Sequence, residues 1–212
     1  MSYKNLVENR NESVDGETDW MWVASDSGAW EGPKNDWETS HKTKYFEHVK
    51  NFDVIVTAGA NQGMYVRHYA KMFKTVYAFE PDPVNFHCLV NNAQFDNVVK
   101  MQCALGSENK LIGINNHDKN NVGTYTINET NANLYIPMVT LDTLKLHACD
   151  IIQLDVEGYE FQILKGAENT IRKFKPVITA ECGDTADIRG FFAWLGYQKL
   201  GQSAADVIWV HI

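Results

Sequence analysis

From residue 52 onward, apolar and polar positions fall into blocks that switch between two periods. Phe52-Asp-Val-Ile-Val56 is a short β-branched run closing in Thr57-Ala-Gly59, the pattern of a buried strand. Residues 63–73 then set Met64, Tyr69, Met72 and Phe73 along a helix. Thr75–Phe79 repeats the strand pattern, and Asp82-Pro83 opens a helix through Phe95, with Asp82 as N-cap and Pro83 at the first helical position. Val98–Ala104 is a third strand. After an irregular stretch come a strand at Asp150–Val156, a helix at Tyr159–Arg172, a strand at Val177–Glu181 and a helix at Thr185–Leu195. Tyr197–Leu200 and Val207–Ile212 read as a closing hairpin. Strand–helix units repeated at this length predict an α/β fold: a mostly parallel seven-stranded sheet, helices on both faces and a C-terminal antiparallel hairpin.

Two stretches break the rhythm. Residues 105–138 hold short alternating runs at Leu111–Ile114, Thr124–Ile127 and Leu134–Val139 between Asn- and Gly-containing turns, which predicts a few short antiparallel strands. Residues 1–50 stand apart from the domain expected over 51–212. The first 19 are polar and acidic and read as a mobile tail. Trp20, Trp22, Trp30 and Trp37 follow among turn-forming residues, and 38–51 carries a short amphipathic helical pattern. Such a density of indole packs on something, either the domain or, as a lid, a ligand.

Composition narrows the function. A chain of 212 residues, 44% hydrophobic, suits one globular domain with a short appendage. Its net charge of −8 argues against a nucleic-acid partner. Cys88, Cys103, Cys149 and Cys182 form no CxxC pair and no Cys/His cluster, so reduced, mostly buried thiols are expected and a zinc site is not. With no bilayer-length apolar run and no signal-like N-terminal stretch, a cytoplasmic protein is expected, in its own cell or a host's, with no membrane partner.

The candidate site lies at the strand ends. The first strand turns through Gly59-Ala-Asn-Gln-Gly63 directly into a helix. Glycine at both ends permits a sharp turn and close approach of a ligand, although by itself such a turn is equally a plain connection. The second strand ends in Phe79-Glu80-Pro81-Asp82 and sets Glu80 about 20 residues on, the spacing of a carboxylate that holds ribose hydroxyls. The GxxxG spacing lacks the middle glycine that admits a pyrophosphate, so the turn leans from NAD toward a sulfonium ligand. Later, Asp150-Ile-Ile-Gln-Leu-Asp155 runs into Val-Glu157-Gly-Tyr-Glu160, with two acids sharing a face over the same crevice. Glu160 reads as helix N-terminal charge.

The runs VTAGANQGMY (56–65), YAFEPDPVNF (77–86), CALG (103–106), VTLDTL (139–144), DIIQLDVEGYEFQILKGA (150–167) and PVITAE (176–181), in this order, resemble the FkbM family of methyltransferases over residues 52–182. The resemblance implies a Rossmann-like class I methyltransferase fold, S-adenosylmethionine as donor, and O-methylation of a hydroxyl on a sugar, glycan or other small molecule. It implies that Gly59, Ala60, Asn61 and Gly63 cradle the donor's amino-acid part, with Thr57 near them. Glu80 would hold the ribose, Cys103 and Ala104 flank the adenine, and Asp155 sit near the methyl group. This chain departs from the family at Thr57, where Asp is common, and at Gln153, where Lys is common. Loss of that Lys would leave the nearby acids with raised pKa values. Leu164-Lys-Gly-Ala167 also matches and is read as helix packing.

Methyl transfer from a sulfonium needs an aligned acceptor and removal of its proton. Asp155 and Glu157 lead as base or acceptor-orienting residues, and Glu181 is third. Paired acids also suit magnesium, but without a third ligand metal-free chemistry ranks first. His41, His48, His68 and His87 are not distinguished by the sequence. Three other readings stay open: a donor-binding relative that lost catalysis, an NAD-dependent oxidoreductase, and nucleic-acid methylation, which the acidic balance and the lack of an Arg/Lys-rich stretch weaken.

Overall fold

The computed structural model describes residues 6–11, 18–26, 44–116, 122–123, 125–127, 132, 134–203 and 206–212. Its strands are β1 (Val7–Arg10), β2 (Trp20–Val23), β3 (Val54–Ala58), β4 (Thr75–Phe79), β5 (Val98–Met101), β6 (Ala104–Leu105), β7 (Lys110–Asn116), β8 (Tyr125–Ile127), β9 (Leu134–Val139), β10 (Ile151–Leu154), β11 (Val177–Glu181), β12 (Tyr197–Ser203) and β13 (Asp206–His211). Its α-helices are α1 (Met64–Met72), α2 (Pro83–Asn92), α3 (Glu160–Gly166), α4 (Glu168–Phe174) and α5 (Ala186–Trp194). Two 3-10 turns, Lys44–His48 and Leu141–Leu144, complete the described elements.

The main sheet has seven strands in the order β12-β13-β11-β10-β3-β4-β5. Strands β3, β4, β5, β10 and β11 run parallel, whereas β13 pairs antiparallel with β11 and with β12. This is the mostly parallel seven-stranded sheet anticipated from the alternating blocks, in the form that the family resemblance implied. Strands β3 and β10 are buried along their whole length, which explains why they read as continuous apolar runs. Neighbouring residues go to opposite faces. Ile152 and Leu154 pack with Ile163, Ile171 and Phe192 of α3, α4 and α5, while Ile151 packs with Val66, Tyr69 and Leu89 of α1 and α2. Tyr45 of the first 3-10 turn joins the second face and shares a 2.8 Å hydrogen bond with the Tyr69 hydroxyl.

Where the structure differs from the sequence reading, local contacts account for it. The expected tail contains β1, whose residues pair antiparallel with β2 from Val7↔Val23 to Arg10↔Trp20. The helix expected over 38–51 is the 3-10 turn at Lys44–His48; the expectation for 38–43, like those for Trp30 and Trp37, lies outside the described residues. The third strand ends at Met101, because a turn donates the Cys103 N–H to the Met101 carbonyl and hands Ala104 and Leu105 to a second sheet. That sheet runs β6-β9-β7-β8 and is antiparallel except for the parallel pair β6–β9. The helix expected over 159–172 is two helices that meet at Ala167. Asp142 of the second 3-10 turn accepts the N–H groups of Asn169 (3.0 Å) and Thr170 (2.8 Å) and so supplies α4 with its own cap.

The Leu164–Ala167 stretch is a packing feature. A Cβ built on Gly166 would stand 1.9 Å from the Gly106 carbonyl oxygen. We expect Gly166→Ala to cost about 1–3 kcal/mol of unfolding free energy in a urea titration, from overpacking of backbone that has nowhere to move.

Candidate functional site

The chain steps from β3 outward to β5 on one side and from β10 to β11 on the other, so strand order reverses between β3 and β10. Open α/β sheets bind ligands beyond the strand ends at such a point. Here three strand ends are knotted together by backbone bonds. The Gly59 and Ala60 N–H groups both donate to the Phe79 carbonyl (3.1 and 3.0 Å), and the Asp155 N–H donates to the Ala58 carbonyl (3.0 Å). Gly59 has φ +82°, and a Cβ there would lie 1.8 Å from the Asp155 carbonyl oxygen. No other residue type fits.

Glu80 closes this knot from the β4 side. It is 4% exposed. Its Oε2 accepts the Asn61 N–H at 2.7 Å and its Oε1 the Asp82 N–H at 2.9 Å. Burial pushes its carboxyl up to about 8; backbone bonds from Asp82 and Asn61 and the Asn85 side-chain amide pull it back down, and the Asp82 charge pushes it up. Asp82 has the capping role its sequence position implied, accepting the Val84 and Asn85 N–H groups at 2.9 and 2.8 Å.

A cavity of about 340 Å³ opens beside these residues. Gly59, Ala60, Asn61, Glu80, Cys103, Ala104, Asp155, Glu157 and Glu181 all line it, so most of the residues singled out from sequence converge on one volume. Cys103 is buried and its thiol is pushed up to about 11, which makes it an apolar wall rather than a nucleophile. Two singled-out residues are not in the lining. Gly63 has φ +91° and ends the turn against Leu89 of α2, where a Cβ would lie 2.9 Å from the leucine side chain. Thr57 sits in the sheet interior, 1% exposed.

Asp155 and Glu181 directly follow Leu154 and Ala180, which are register partners, so the two acids leave adjacent strands side by side. Glu157 stands next to them in the left-handed region at φ +53°, uncommon for a residue with a side chain. Its carboxyl is raised by burial, then by the charges of Asp155 and Glu160. Glu160, buried, accepts the Gly158 N–H at 3.2 Å, which agrees with its expected role at the start of α3. Among the described residues no group of three or more His, Cys, Asp or Glu is arranged to hold a metal ion. His68 lies beside Phe46, their rings 6.3 Å apart, and not in the cavity lining.

The two departures noted at Thr57 and Gln153 meet each other. They are register partners on β3 and β10, and the Thr57 hydroxyl donates to Gln153 Oε1. Gln153 is paired on its other side with Thr179 of β11, and all three are buried. The sequence reading placed Gln153 beside Asp155 as a missing cation; the structure shows a neutral pair that stands together inside the sheet, under the site rather than in it.

Several further residues line the cavity, of which the sequence flagged only Trp22, as part of its Trp-rich segment. Trp22 enters from β2, Asn85 from α2, and Val122 and Gly123 from the connection between β7 and β8. The hairpin β1–β2 is docked by side-chain amides. Asn92 of α2 accepts the Met21 N–H (2.7 Å) and donates to the Met21 carbonyl (2.8 Å), and Gln62 accepts the Val23 N–H (2.7 Å). Trp20 and Trp22 are each 1% exposed, so the indoles of β2 pack on the domain and one of them also walls the cavity. The high Trp content flagged the segment; nothing flagged residues 122–123.

Comparison with known proteins agrees with this architecture. The family model described as the methyltransferase FkbM domain matches residues 58–199. The crystal structure of methyltransferase FkbM from Methylobacillus flagellatus KT superposes with TM-score 0.55 at 19% identity, covering 81% of this chain and 48% of that one. This chain therefore spans about half the length of that structure. Trm5b from Pyrococcus abyssi gives TM-score 0.51 at 15% identity, over 96% of this chain and 56% of that one. Magnesium protoporphyrin IX methyltransferase from Synechocystis PCC 6803 with bound SAM gives 0.50 at 10% identity, over 88% and 85%. No curated protein sequence matches the chain significantly.

The Thr57–Gln153 pair is open to a double-mutant cycle. Thr57→Asp or Gln153→Lys alone places an uncompensated charge inside the sheet and is expected to cost about 3–5 kcal/mol. The double variant should recover more than half of that loss in chemical denaturation, which reads out as a coupling between the two sites.

Proposed function

The chain belongs to the FkbM methyltransferase family, and from that premise we propose that it uses S-adenosylmethionine to methylate a hydroxyl oxygen on a sugar or other small molecule. The observation that carries the donor is the single cavity shared by the 59–61 turn and Glu80. The residues fit this donor better than a dinucleotide. The N–H groups of Gly59, Ala60, Asn61 and Gly63 are all engaged by Phe79, Glu80 or Ala60 oxygens, so the turn has few amides left to offer a pyrophosphate. Glu80 stands beside it and, once ionised, has no donor to offer a pyrophosphate. Both features suit a ligand whose nucleoside offers hydroxyl donors and whose reacting end is a cation.

When bound, S-adenosylmethionine supplies a methyl group already activated by a sulfonium. The chain's own work is then to hold, align and deprotonate. Glu80 would accept ribose hydroxyls, Asn61 and the turn would hold the amino-acid end, and Cys103 and Ala104 would form an apolar wall for the base. Asp155, Glu157 and Glu181 also line the cavity, where they would attract a cationic centre and orient an acceptor hydroxyl. Alignment can supply roughly 7–11 kcal/mol. A general base adds typically about 10²–10⁴-fold. The lining includes no Lys, Arg or His among the described residues, which favours an uncharged hydroxyl over a phosphate or carboxylate as acceptor. The helices described are not long and apolar enough to cross a membrane. A small-molecule or carbohydrate partner in an aqueous compartment fits this site.

The decisive assay incubates the protein with methyl-labelled S-adenosylmethionine and a cell extract and identifies the labelled species. We expect an O-methylated small molecule or glycan, with Asp155→Asn lowering its formation at least about 100-fold. Label on nucleic acid, or full turnover by the Asn variant, contradicts the assignment.

Glu80 makes the donor site pH-dependent. Hydroxyl donors favour its ionised form, so S-adenosylhomocysteine affinity measured by calorimetry should weaken about tenfold per unit below pH 8 and level off above it. The stability effect has the opposite sign. A carboxyl raised from 4.5 to about 8 contributes stability below about 4.5 that is lost as pH rises through 8. Glu80→Gln should flatten both profiles and bind S-adenosylhomocysteine more weakly than wild type at pH 8.5.

A further inference from the structure

Asn85 is the buried polar residue of the cavity that the assignments above leave without a task. It is 2% exposed and lines the cavity from the first turn of α2. Its backbone N–H is capped by Asp82 at 2.8 Å. Its side-chain orientation is fixed by chemistry: the Val122 carbonyl can only accept, so the group that meets it at 2.9 Å is the Nδ2 amide. Its Oδ1 is buried and has no hydrogen-bond partner. The same side chain lies close enough to Glu80 to draw down its carboxyl pKa.

An unpaired buried acceptor costs free energy unless a donor arrives. Glu80 beside it is acceptor-only when ionised. The two together form a corner that offers acceptors and asks for N–H or O–H donors. We propose that Asn85 is a donor-binding residue, its Oδ1 accepting a proton from the nucleoside part of S-adenosylmethionine, either a ribose hydroxyl or the 6-amino group of the base. The assignment rests on the donor reading above and deepens it. Because Nδ2 holds Val122, the same side chain also ties the nucleoside to the segment that walls the cavity from the second sheet.

The test is a ligand–protein double-mutant cycle by calorimetry. Wild type and Asn85→Ala are titrated with S-adenosylhomocysteine, its 2′-deoxy and 3′-deoxy analogues, and its inosine analogue, which lacks the 6-amino group. In wild type both deoxy analogues bind more weakly than the parent through Glu80, and the analogue that lacks the group held by Asn85 carries a further loss of about tenfold. In Asn85→Ala that further loss should vanish, so this analogue's affinity relative to the parent rises about tenfold. The 2′-deoxy or 3′-deoxy arm identifies the hydroxyl; the inosine arm identifies the base. Asn85→Ser, whose shorter side chain does not reach, serves as the second variant if the alanine protein fails to fold. A packing role lowers all four affinities together and leaves their ratios at the wild-type values. That outcome, or unchanged S-adenosylhomocysteine affinity in either variant, overturns the proposal. Failure of wild type itself to bind S-adenosylhomocysteine sinks the donor reading instead.

Discussion

The site depends on one steric constraint: where β3 ends, no side chain fits between its backbone and the carbonyl of Asp155. Glycine at position 59 lets the ends of β3 and β10 approach until their backbones touch, and two N–H groups from the turn anchor to the end of β4. A side chain at that place would spread the strands and separate the carboxylates that follow them. Because the three ends are joined by main-chain bonds, Glu80 on one strand and Asp155 on another hold a fixed relation that needs no long side chain to bridge them. The chemistry of the cavity is thus set by backbone geometry, and side chains are hung on it.

This explains which parts were legible in the sequence. Strands β3 and β10 announce themselves through runs buried on both faces, and the gap between Gly59 and Glu80 is fixed by one helix and one strand of ordinary length. Residues at strand ends in a parallel sheet converge because topology requires it, so naming the ends was enough to name Ala60, Asn61, Asp155, Glu157 and Glu181 as neighbours of one space. Thr57 fell outside for the same reason. Being two residues before the turn, it points with Ile55 into the sheet interior rather than past the sheet's edge. Gly63 answered to a helix–helix approach that no local pattern reveals.

What stayed hidden came from long-range contacts. Polar side chains of Gln62 and Asn92 dock the hairpin by making the bonds a strand edge would make, and an amide at the end of a helix does not advertise a partner 71 residues away. Likewise, the break between α3 and α4 is set by Asp142, a residue 28 positions before the amide it caps. Neither propensity nor periodicity carries such information.

The walls of the cavity therefore have two origins. Its floor belongs to the sheet, where backbone bonding leaves little freedom. Its roof comes from β2 and from the connection after β7, elements that the strand–helix alternation does not include. The matched family domain begins at residue 58, so the hairpin that brings Trp22 to the cavity precedes it. A floor built by topology suits the part of a reaction shared by many enzymes, the handling of a common methyl donor. A roof held by a few side-chain amides tolerates sequence change without loss of the fold, because loops and appended strands make few of the contacts on which the core depends. Trp22 and Val122 belong to that roof, and Asn85, whose side-chain amide donates to the Val122 carbonyl, stands at the boundary between the two.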